Sequence, residues 1–395
     1  MIPRASLPAL SLAIALTFFW SHQQQGNGWI WLLGCAIGWL LVKGGFGFSG
    51  PLRRAITEGN WRALAPIAFL LLLLILGSGL LQQSEWMGLE LRPSRAPISL
   101  SLATGAFLFG IGMQLARRCA SGTLATAFRG DGAFSITLCG LAVGVFLGSL
   151  HRPHLEKLIP GARPPIVLYE ALPLNLAVLS QIGILLGLSA GTVILCTLRR
   201  HVVRAYPRPS PATEIGATTT VVGLTLLLLL VYLASGEPWK VLWGLGITSA
   251  HLAKAAGWDP QGSLFWGAPS RLQLLASPWM WLRQETVVVN LGVIYGAWMA
   301  GKSKGGQPLP LPLKRQPDKA WLRYGFGGLL MGYGGFLSYG CNISSFLGGV
   351  MSFSLHGWLW LIAAVLGSAV CIGLEQLLGA EVEISSANDQ PSTMT

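Results

Sequence analysis

The stretch Leu330–Trp360, LMGYGGFLSYGCNISSFLGGVMSFSLHGWLW, decides how the rest of the chain is interpreted. It places Cys341 among glycines and apolar residues, and small polar residues follow the cysteine directly. An earlier stretch, Leu108–Leu124, reads LFGIGMQLARRCASGTL and centres on Cys119 in the same way. An ungapped alignment on the two cysteines pairs identical residues at Leu108/Leu330, Gly110/Gly332, Gly112/Gly334, Leu115/Leu337 and Cys119/Cys341. The two stretches are therefore candidates for the copies of an internal repeat.

The composition identifies the class of protein. Of the 395 residues, 52% are hydrophobic and 11% are charged, whereas soluble proteins carry about 25% charged residues. Mean hydropathy is +0.57. So few charges cannot cover a water-facing surface, and the sequence predicts an all-α polytopic protein of the lipid bilayer. The formal net charge of +12 does not indicate nucleic acid, because Lys and Arg in membrane proteins concentrate in cytoplasmic loops.

About nine spanning helices are predicted, since a span needs about 20 apolar residues. They cover 7–20, 61–82, 98–118, 133–150, 172–198, 218–235, 279–301, 324–340 and 356–378. Residues 1–20 are interpreted as a membrane helix or anchor, because no small-residue cleavage site follows them. Three shorter apolar stretches, 29–52, 240–252 and 343–355, have glycines at their ends. Short, glycine-interrupted segments of this kind indicate re-entrant half-helices at a transport site.

The positive charges predict an orientation and two halves. Four arginines in 199–208 and six basic residues in 302–323 should place both loops in the cytoplasm. The count of spans then makes the Cys119 and Cys341 segments antiparallel, as an inverted repeat requires. The predicted units are 1–200, 201–380 and an acidic, disordered tail, 381–395.

A second pair of stretches supports the repeat: Gly45–Pro51 (GFGFSGP) and Gly244–Ala250 (GLGITSA). The alternative is that glycine-rich membrane helices resemble one another by composition, because small residues favour close helix packing.

The chemistry is expected where each apolar run stops at its cysteine. Ser, Thr and Asn are good helix caps, so a half-helix should begin just after each cysteine. Its first N–H groups would favour an anion, and the thiol adds a polarizable sulfur and a weak donor. The candidate pathway residues are Cys119, Ala120, Ser121, Gly122, Thr123, Gly340, Cys341, Asn342, Ile343 and Ser344. The alternative is that both cysteines merely fit where helices approach closely.

Other kinds of site find little support in the sequence. Cys35, Cys139, Cys196 and Cys371 lie in apolar runs and are interpreted as small hydrophobic residues. The six histidines are scattered, so neither a metal site nor a cofactor is expected. No nucleophile and base stand at a recognisable spacing, and the protein is predicted not to be an enzyme.

Three segments resemble motifs of the YeeE/YedE family, whose characterised members take up thiosulfate across the bacterial inner membrane. They are GMQLARRCASGTL (Gly112–Leu124), YGCNISSFLGGVMSFSLHGWLW (Tyr339–Trp360) and GFGFSGPLRRAI (Gly45–Ile56). The resemblance implies an hourglass-shaped helical transporter that relays thiosulfate along cysteines through S–H···S contacts. Cys119 and Cys341 match two of these cysteines. A third would fall at about Gly47, where this chain has none, and Arg117 and Arg118 stand where small residues are usual.

The expected function is thiosulfate uptake by a multi-pass protein of the bacterial inner membrane. The resemblance also implies a soluble TusA-like sulfur carrier as a cytoplasmic partner. Two alternatives stay open. One is transport of another sulfur or selenium oxyanion, and the other is a membrane-embedded thiol sulfurtransferase or redox protein.

Overall fold

The computed structural model describes residues 28–82, 91–128, 132–158, 162–200, 215–302 and 320–378. Within these ranges the regular structure is helical, apart from two isolated β-bridges. This confirms the predicted all-α class. The predicted span 7–20 and the tail 381–395 lie outside the described residues.

The helices are numbered here in chain order. They are α1 Gly28–Lys43, α2 Ser49–Glu58, α3 Ala65–Gln82, α4 Leu100–Leu115, α5 Ala120–Thr126, α6 Gly132–Leu158, α7 Leu168–Ala171, α8 Leu174–Arg200, α9 Ala217–Ser235, α10 Val241–Ala255, α11 Pro269–Leu274, α12 Pro278–Leu282, α13 Glu285–Lys302, α14 Ala320–Leu337, α15 Gly348–Met351 and α16 His356–Leu377. A 3₁₀ turn, Trp61–Leu64, precedes α3, and a π-helical turn, Asn342–Leu347, precedes α15.

Five helical segments of the described chain are long and apolar enough to cross a membrane. They are Trp61–Gln82, Gly132–Leu158, Leu174–Leu198, Ala217–Ser235 and His356–Leu377. A sixth span results if α4 and α5, which are bent by 40° at the break between them, are counted as one. The predicted spans 279–301 and 324–340 correspond largely to α13 and α14, which have 18 residues each. The total of about nine spans stays a prediction.

The predicted half-helical stretches take three different forms. Stretch 29–52 contains α1, a break at residues 44–48 and the start of α2. Stretch 343–355 contains most of the π turn and all of α15. Stretch 240–252 lies in α10, an uninterrupted helix of 15 residues. At 1.5 Å per residue α10 is about 22 Å long, which is shorter than the hydrocarbon core of about 30 Å.

Helices α4 and α14, which precede the two cysteines, pack through glycines at the centre of the bundle. A Cβ atom placed on Gly105 would lie 2.6 Å from the Gly334 carbonyl oxygen, and one on Gly112 would lie 2.5 Å from that of Gly327. The paired numbers run in opposite directions along the two helices. The two cysteine segments are therefore antiparallel, as the charge count predicts.

Each of these central helices also packs beside a parallel neighbour. Helix α14 runs parallel to α6, because Gly140 lies against Gly325 and Gly148 against Tyr333. Helix α4 runs parallel to α16, because the Ser368 hydroxyl donates to the Gly110 carbonyl and Arg117 contacts Glu375 further along. In the same way α1 packs on α13, while α9 packs on α3. The pair α4–α16 thus corresponds to α14–α6, and the pair α1–α13 corresponds to α9–α3.

The central glycine contact gives a testable prediction about stability. Substitution Gly112→Val forces side-chain atoms into the backbone of α14, and overpacking of this kind costs about 1–3 kcal/mol. We expect a lower thermal midpoint for the purified protein. The matched control is Gly187→Val on the exposed face of α8, where nothing lies within 4 Å of a new Cβ. Equal midpoints for the two variants would contradict the tight α4–α14 packing.

Candidate functional site

Both cysteines cap short helices. Cys119 has extended backbone angles and is the N-cap of α5, which begins at Ala120. Cys341 is also extended and is the N-cap of the π turn, which begins at Asn342 and continues into α15. This confirms the prediction that a helix begins directly after each cysteine.

The structure brings the two capped ends together inside the bundle. Helix α5 contacts the π turn, and the exposed fraction is 3% for Cys119 and 0% for Cys341. The two sequence-predicted sets of residues therefore belong to one buried region, where a dissolved ion would lose its water and need protein donors.

Hydrogen bonds at Cys341 orient its thiol. The sulfur accepts from the amides of Ile343 and Ser344, and the Ser344 hydroxyl lies 3.5 Å from it as a donor. The same hydroxyl accepts the Cys341 N–H at 2.9 Å. Because donors surround the sulfur, its own S–H hydrogen is directed to an acceptor other than these groups.

Cys119 has a looser set of neighbours. Its sulfur lies 3.4 Å from the Ser121 hydroxyl oxygen. The Thr123 N–H and hydroxyl both donate to the Cys119 carbonyl, at 2.8 and 3.0 Å. A Cβ added to the half-buried Gly122 would lie 3.4 Å from the sulfur. Ala120 is fully buried and packs in the core. Ser121 and Gly122 thus lie beside the thiol, while Thr123 binds the Cys119 backbone.

The side chain of Asn342 has a hydrogen-bond acceptor without a partner in the described part of the chain. Its side-chain Nδ2 donates to the Met113 sulfur at 3.8 Å, while its buried Oδ1 has no hydrogen-bond partner among the described residues. The side chain borders an otherwise mostly apolar cavity of about 330 Å³, which Met113, Phe346 and Trp360 also line. A buried polar atom without a partner is costly, so this amide is a candidate ligand-facing group.

A tryptophan that sequence reasoning did not single out holds the turn before Cys341. Trp360 Nε1 donates to the Ser338 hydroxyl at 2.9 Å and to the Gly340 carbonyl at 3.2 Å. The Ser345 hydroxyl donates to the Ser338 carbonyl at 2.8 Å. The sequence feature that could have indicated this role is the position of Trp360 in the SLHGWLW run, which follows the capped segment.

The same backbone conformation occurs two residues before each cysteine. Arg117 has a φ of 56° and Tyr339 a φ of 64°, and the described chain has one further non-glycine residue with positive φ, Phe353. Arg117 contacts Glu375 on α16 at 3.4 Å, and the Tyr339 hydroxyl donates to Glu156 on α6 at 3.0 Å. Left-handed residues other than glycine are strained, so this shared feature reflects a common local fold. The alignment on the cysteines pairs Arg117 with Tyr339, but an arginine and a tyrosine do not indicate a left-handed backbone.

Gly47 lies in the turn between α1 and α2. No heavy atom lies within 4 Å of a Cβ added there, so the position has room for a side chain. Its neighbour Phe48 packs its ring on Phe346 of the π turn, with the centroids 6.3 Å apart. Gly47 is thus near the capped segments, although no described contact joins it to either cysteine. Among the described residues, no three His, Cys, Asp or Glu side chains form a group that could hold a metal ion.

The turn at Gly340 gives a prediction about stability. Its φ is +155°, and a Cβ there would lie 2.8 Å from the Ser345 nitrogen. We expect Gly340→Ala to destabilise the protein by about 1–3 kcal/mol, measured as a lower thermal midpoint. Gly47→Ala is the matched control, because its surroundings are open. A midpoint equal to that of the unmodified protein would show that the turn is not constrained in this way.

Comparison with known proteins identifies the family of this sequence. The model of the family described as Sulphur transport matches residues 43–370. A Spirochaeta thermophila protein named thiosulfate transporter TsuA is 28% identical over 85% of this chain and 95% of its own length. The Escherichia coli protein of the same name is 24% identical, over 85% and 91%. A second Escherichia coli protein, named probable transporter YedE, is 31% identical over 26% of this chain and 24% of its own. Since the family model covers most of the sequence, including both cysteine-capped segments, the chain belongs to the Sulphur transport family.

Proposed function

We propose that this protein imports thiosulfate across the bacterial inner membrane and relays it past Cys341 and then Cys119. The observation that carries the proposal is the contact between two short helices, each capped by a buried cysteine. Two relatives named thiosulfate transporter TsuA, which align over most of the chain, support the choice of ion.

We further propose that residues 1–200 and 201–380 form an inverted repeat. The antiparallel contact of α4 with α14 supports it, as do the matching parallel pairs on either side. The left-handed residues at the same distance before each cysteine add local support. An inverted repeat with broken helices at its interface is the usual architecture of a transport site.

The hydrogen bonds at Cys341 support a relay in which the thiol stays protonated. Amide and hydroxyl donors surround its sulfur, which leaves the S–H as a weak donor toward the polarizable terminal sulfur of thiosulfate. The anion would then pass to Cys119, where Ser121 and Thr123 provide hydroxyl groups. Weak, successive contacts suit transport, because an ion must be able to leave each site that it enters.

The proposed direction ends at the cytoplasmic side, where the basic loops lie in the predicted orientation. There the ion would be taken up by a soluble sulfur carrier of the TusA type. This partner rests on the resemblance alone.

Substitution of either cysteine tests the relay. We expect Cys119→Ala and Cys341→Ala each to abolish most uptake of labelled thiosulfate into proteoliposomes, because each removes the S–H donor and the polarizable sulfur. Cys139→Ala is the matched control, since that thiol is exposed on α6 and should leave uptake unchanged. Normal uptake by both pathway variants at equal protein levels would contradict the relay.

The same assay separates the alternatives. Sulfite and selenite are added as competitors, and a stronger effect than that of unlabelled thiosulfate would identify a different preferred ion. A persulfide trapped on Cys119 or Cys341 during turnover would indicate covalent sulfur transfer instead of transport of the intact anion.

Gly47 gives an independent test of the pathway. Because the position is open, Gly47→Cys should fold normally and keep thiosulfate uptake. In a Cys139→Ala background, we expect the new thiol to react with a membrane-impermeant maleimide and thiosulfate to slow the reaction. Labelling that thiosulfate leaves unchanged would remove Gly47 from the proposed pathway.

A further inference from the structure

Three arginines from separate elements converge on one buried carboxylate. Arg53 of α2 lies 2.7 Å from Glu375 Oε2, Arg117 lies 3.4 Å from the same oxygen, and Arg323 of α14 lies 4.0 Å from Oε1. The Glu375 side chain is 8% exposed. We call Arg53, Arg117 and Arg323 the arginine cluster. Its end of the bundle, predicted to face the cytoplasm, is the inner mouth.

Within the described chain, the ion pairs leave a hydrogen-bonding atom of the carboxylate and one of Arg323 without partners. Glu375 Oε1 is buried and has no hydrogen-bond partner among the described residues, and the same holds for Nε of Arg323. A guanidinium carries five N–H donors in a fixed fork, whereas a carboxylate offers two oxygens. An anion with three or four oxygens matches such a set of donors better than one carboxylate does.

The arginine cluster adjoins the cysteine pathway directly. Arg117 is two residues before Cys119 in the chain. Arg53 Nε donates to the side-chain oxygen of Gln114 at 3.2 Å, and the neighbouring Met113 contacts Asn342 beside Cys341. On the proposed path, an ion that leaves Cys119 towards the inner mouth would next come to these guanidinium groups.

The other end of the bundle is built differently at the equivalent position. There Tyr339 takes the place of Arg117, and its hydroxyl bonds to Glu156, which pairs with Arg152 at 2.8 Å. The described contacts of Glu156 thus include one arginine, against three at Glu375. The contact of three arginines with one carboxylate is therefore a feature of the inner mouth that the shared backbone fold does not require.

From this geometry we propose that the arginine cluster is an anion-binding site at the inner mouth, with Glu375 as a built-in competitor. Its ligand is a divalent sulfur oxyanion, which is thiosulfate if the proposed transport function holds. The anion takes over the guanidinium contacts of the carboxylate when it binds. The proposal rests on the proposed function for the identity of the ion, but not for the existence of the site.

Anion binding to the purified full-length protein tests this site. The measurements use a Cys119→Ala/Cys341→Ala background, so that binding at the pathway thiols does not contribute. Thiosulfate and sulfate are the probes, titrated by calorimetry against chloride at equal ionic strength. We expect Glu375→Gln to tighten binding about tenfold, because it removes the competing charge, and Arg323→Gln to weaken it about tenfold, the size of one charge-assisted hydrogen bond. The matched control at the other end, Glu156→Gln, should leave the affinity unchanged.

Thermal stability distinguishes a binding site from a purely structural ion cluster. In chloride, Glu375→Gln should lower the thermal midpoint, because three partly buried guanidinium groups lose their counter-charge. Thiosulfate or sulfate should restore the midpoint if the anion occupies the site. A midpoint that neither anion restores, or equal affinities for the parent, Glu375→Gln and Arg323→Gln, would overturn the proposal.

The outcomes also separate this proposal from the transport function. If the cluster variants change binding as expected while the unmodified protein does not take up thiosulfate, the anion site stands and the transport function fails. If uptake occurs but the cluster variants bind both probes like the parent, transport stands and the anion site fails.

Discussion

The structure depends on satisfying the backbone where the chain is broken before Cys341. Inside a membrane protein, an interrupted helix is stable only if protein groups replace the missing hydrogen bonds. Here Trp360 donates to the Gly340 carbonyl, Ser345 to the Ser338 carbonyl, and Ser344 accepts the Cys341 amide. The Cys341 sulfur itself accepts from the amides of Ile343 and Ser344, so its S–H hydrogen is left for another acceptor.

Glycines determine how close the two broken segments can come. Association of helices within a membrane relies on close packing, since lipid is as apolar as the helices themselves. Gly112 and Gly327 lie backbone against backbone where α4 and α14 cross, and side chains at these positions would separate the helices. The α5–π contact then follows, because each capped segment continues directly from one of these helices. Shared glycines are weak evidence for the internal repeat, because they can arise from composition, but close packing of α4 and α14 requires them.

Local features of the chain and the relative direction of the two cysteine segments were predictable, whereas individual long-range contacts were not. Composition predicts the helices, small polar residues after each cysteine predict the caps, and basic loops predict the antiparallel arrangement. The left-handed residues were missed, because neither Arg117 nor Tyr339 is a residue type that favours that conformation. The ion pair of Arg53 with Glu375 spans 322 positions in sequence, and no local pattern reports such a contact. The likeness of GFGFSGP to GLGITSA predicts similar breaks, but α10 continues where α1 and α2 are separated.

The side chains at the two ends of the proposed repeat differ in a way that bears on transport direction. Charges act strongly on an anion in a low-dielectric pathway, so the three arginines of the proposed site would favour an anion there over the end with Tyr339. Without the Glu375 carboxylate, the three guanidinium groups would hold a divalent anion too tightly for release, since conduction requires sites that bind weakly enough to let the ion leave. In the proposed site Glu375 would resolve this conflict, because its carboxylate competes for the same donors and remains in place when the anion departs. If both proposals hold, the carboxylate sets the release of the ion and the cysteines determine which ion arrives.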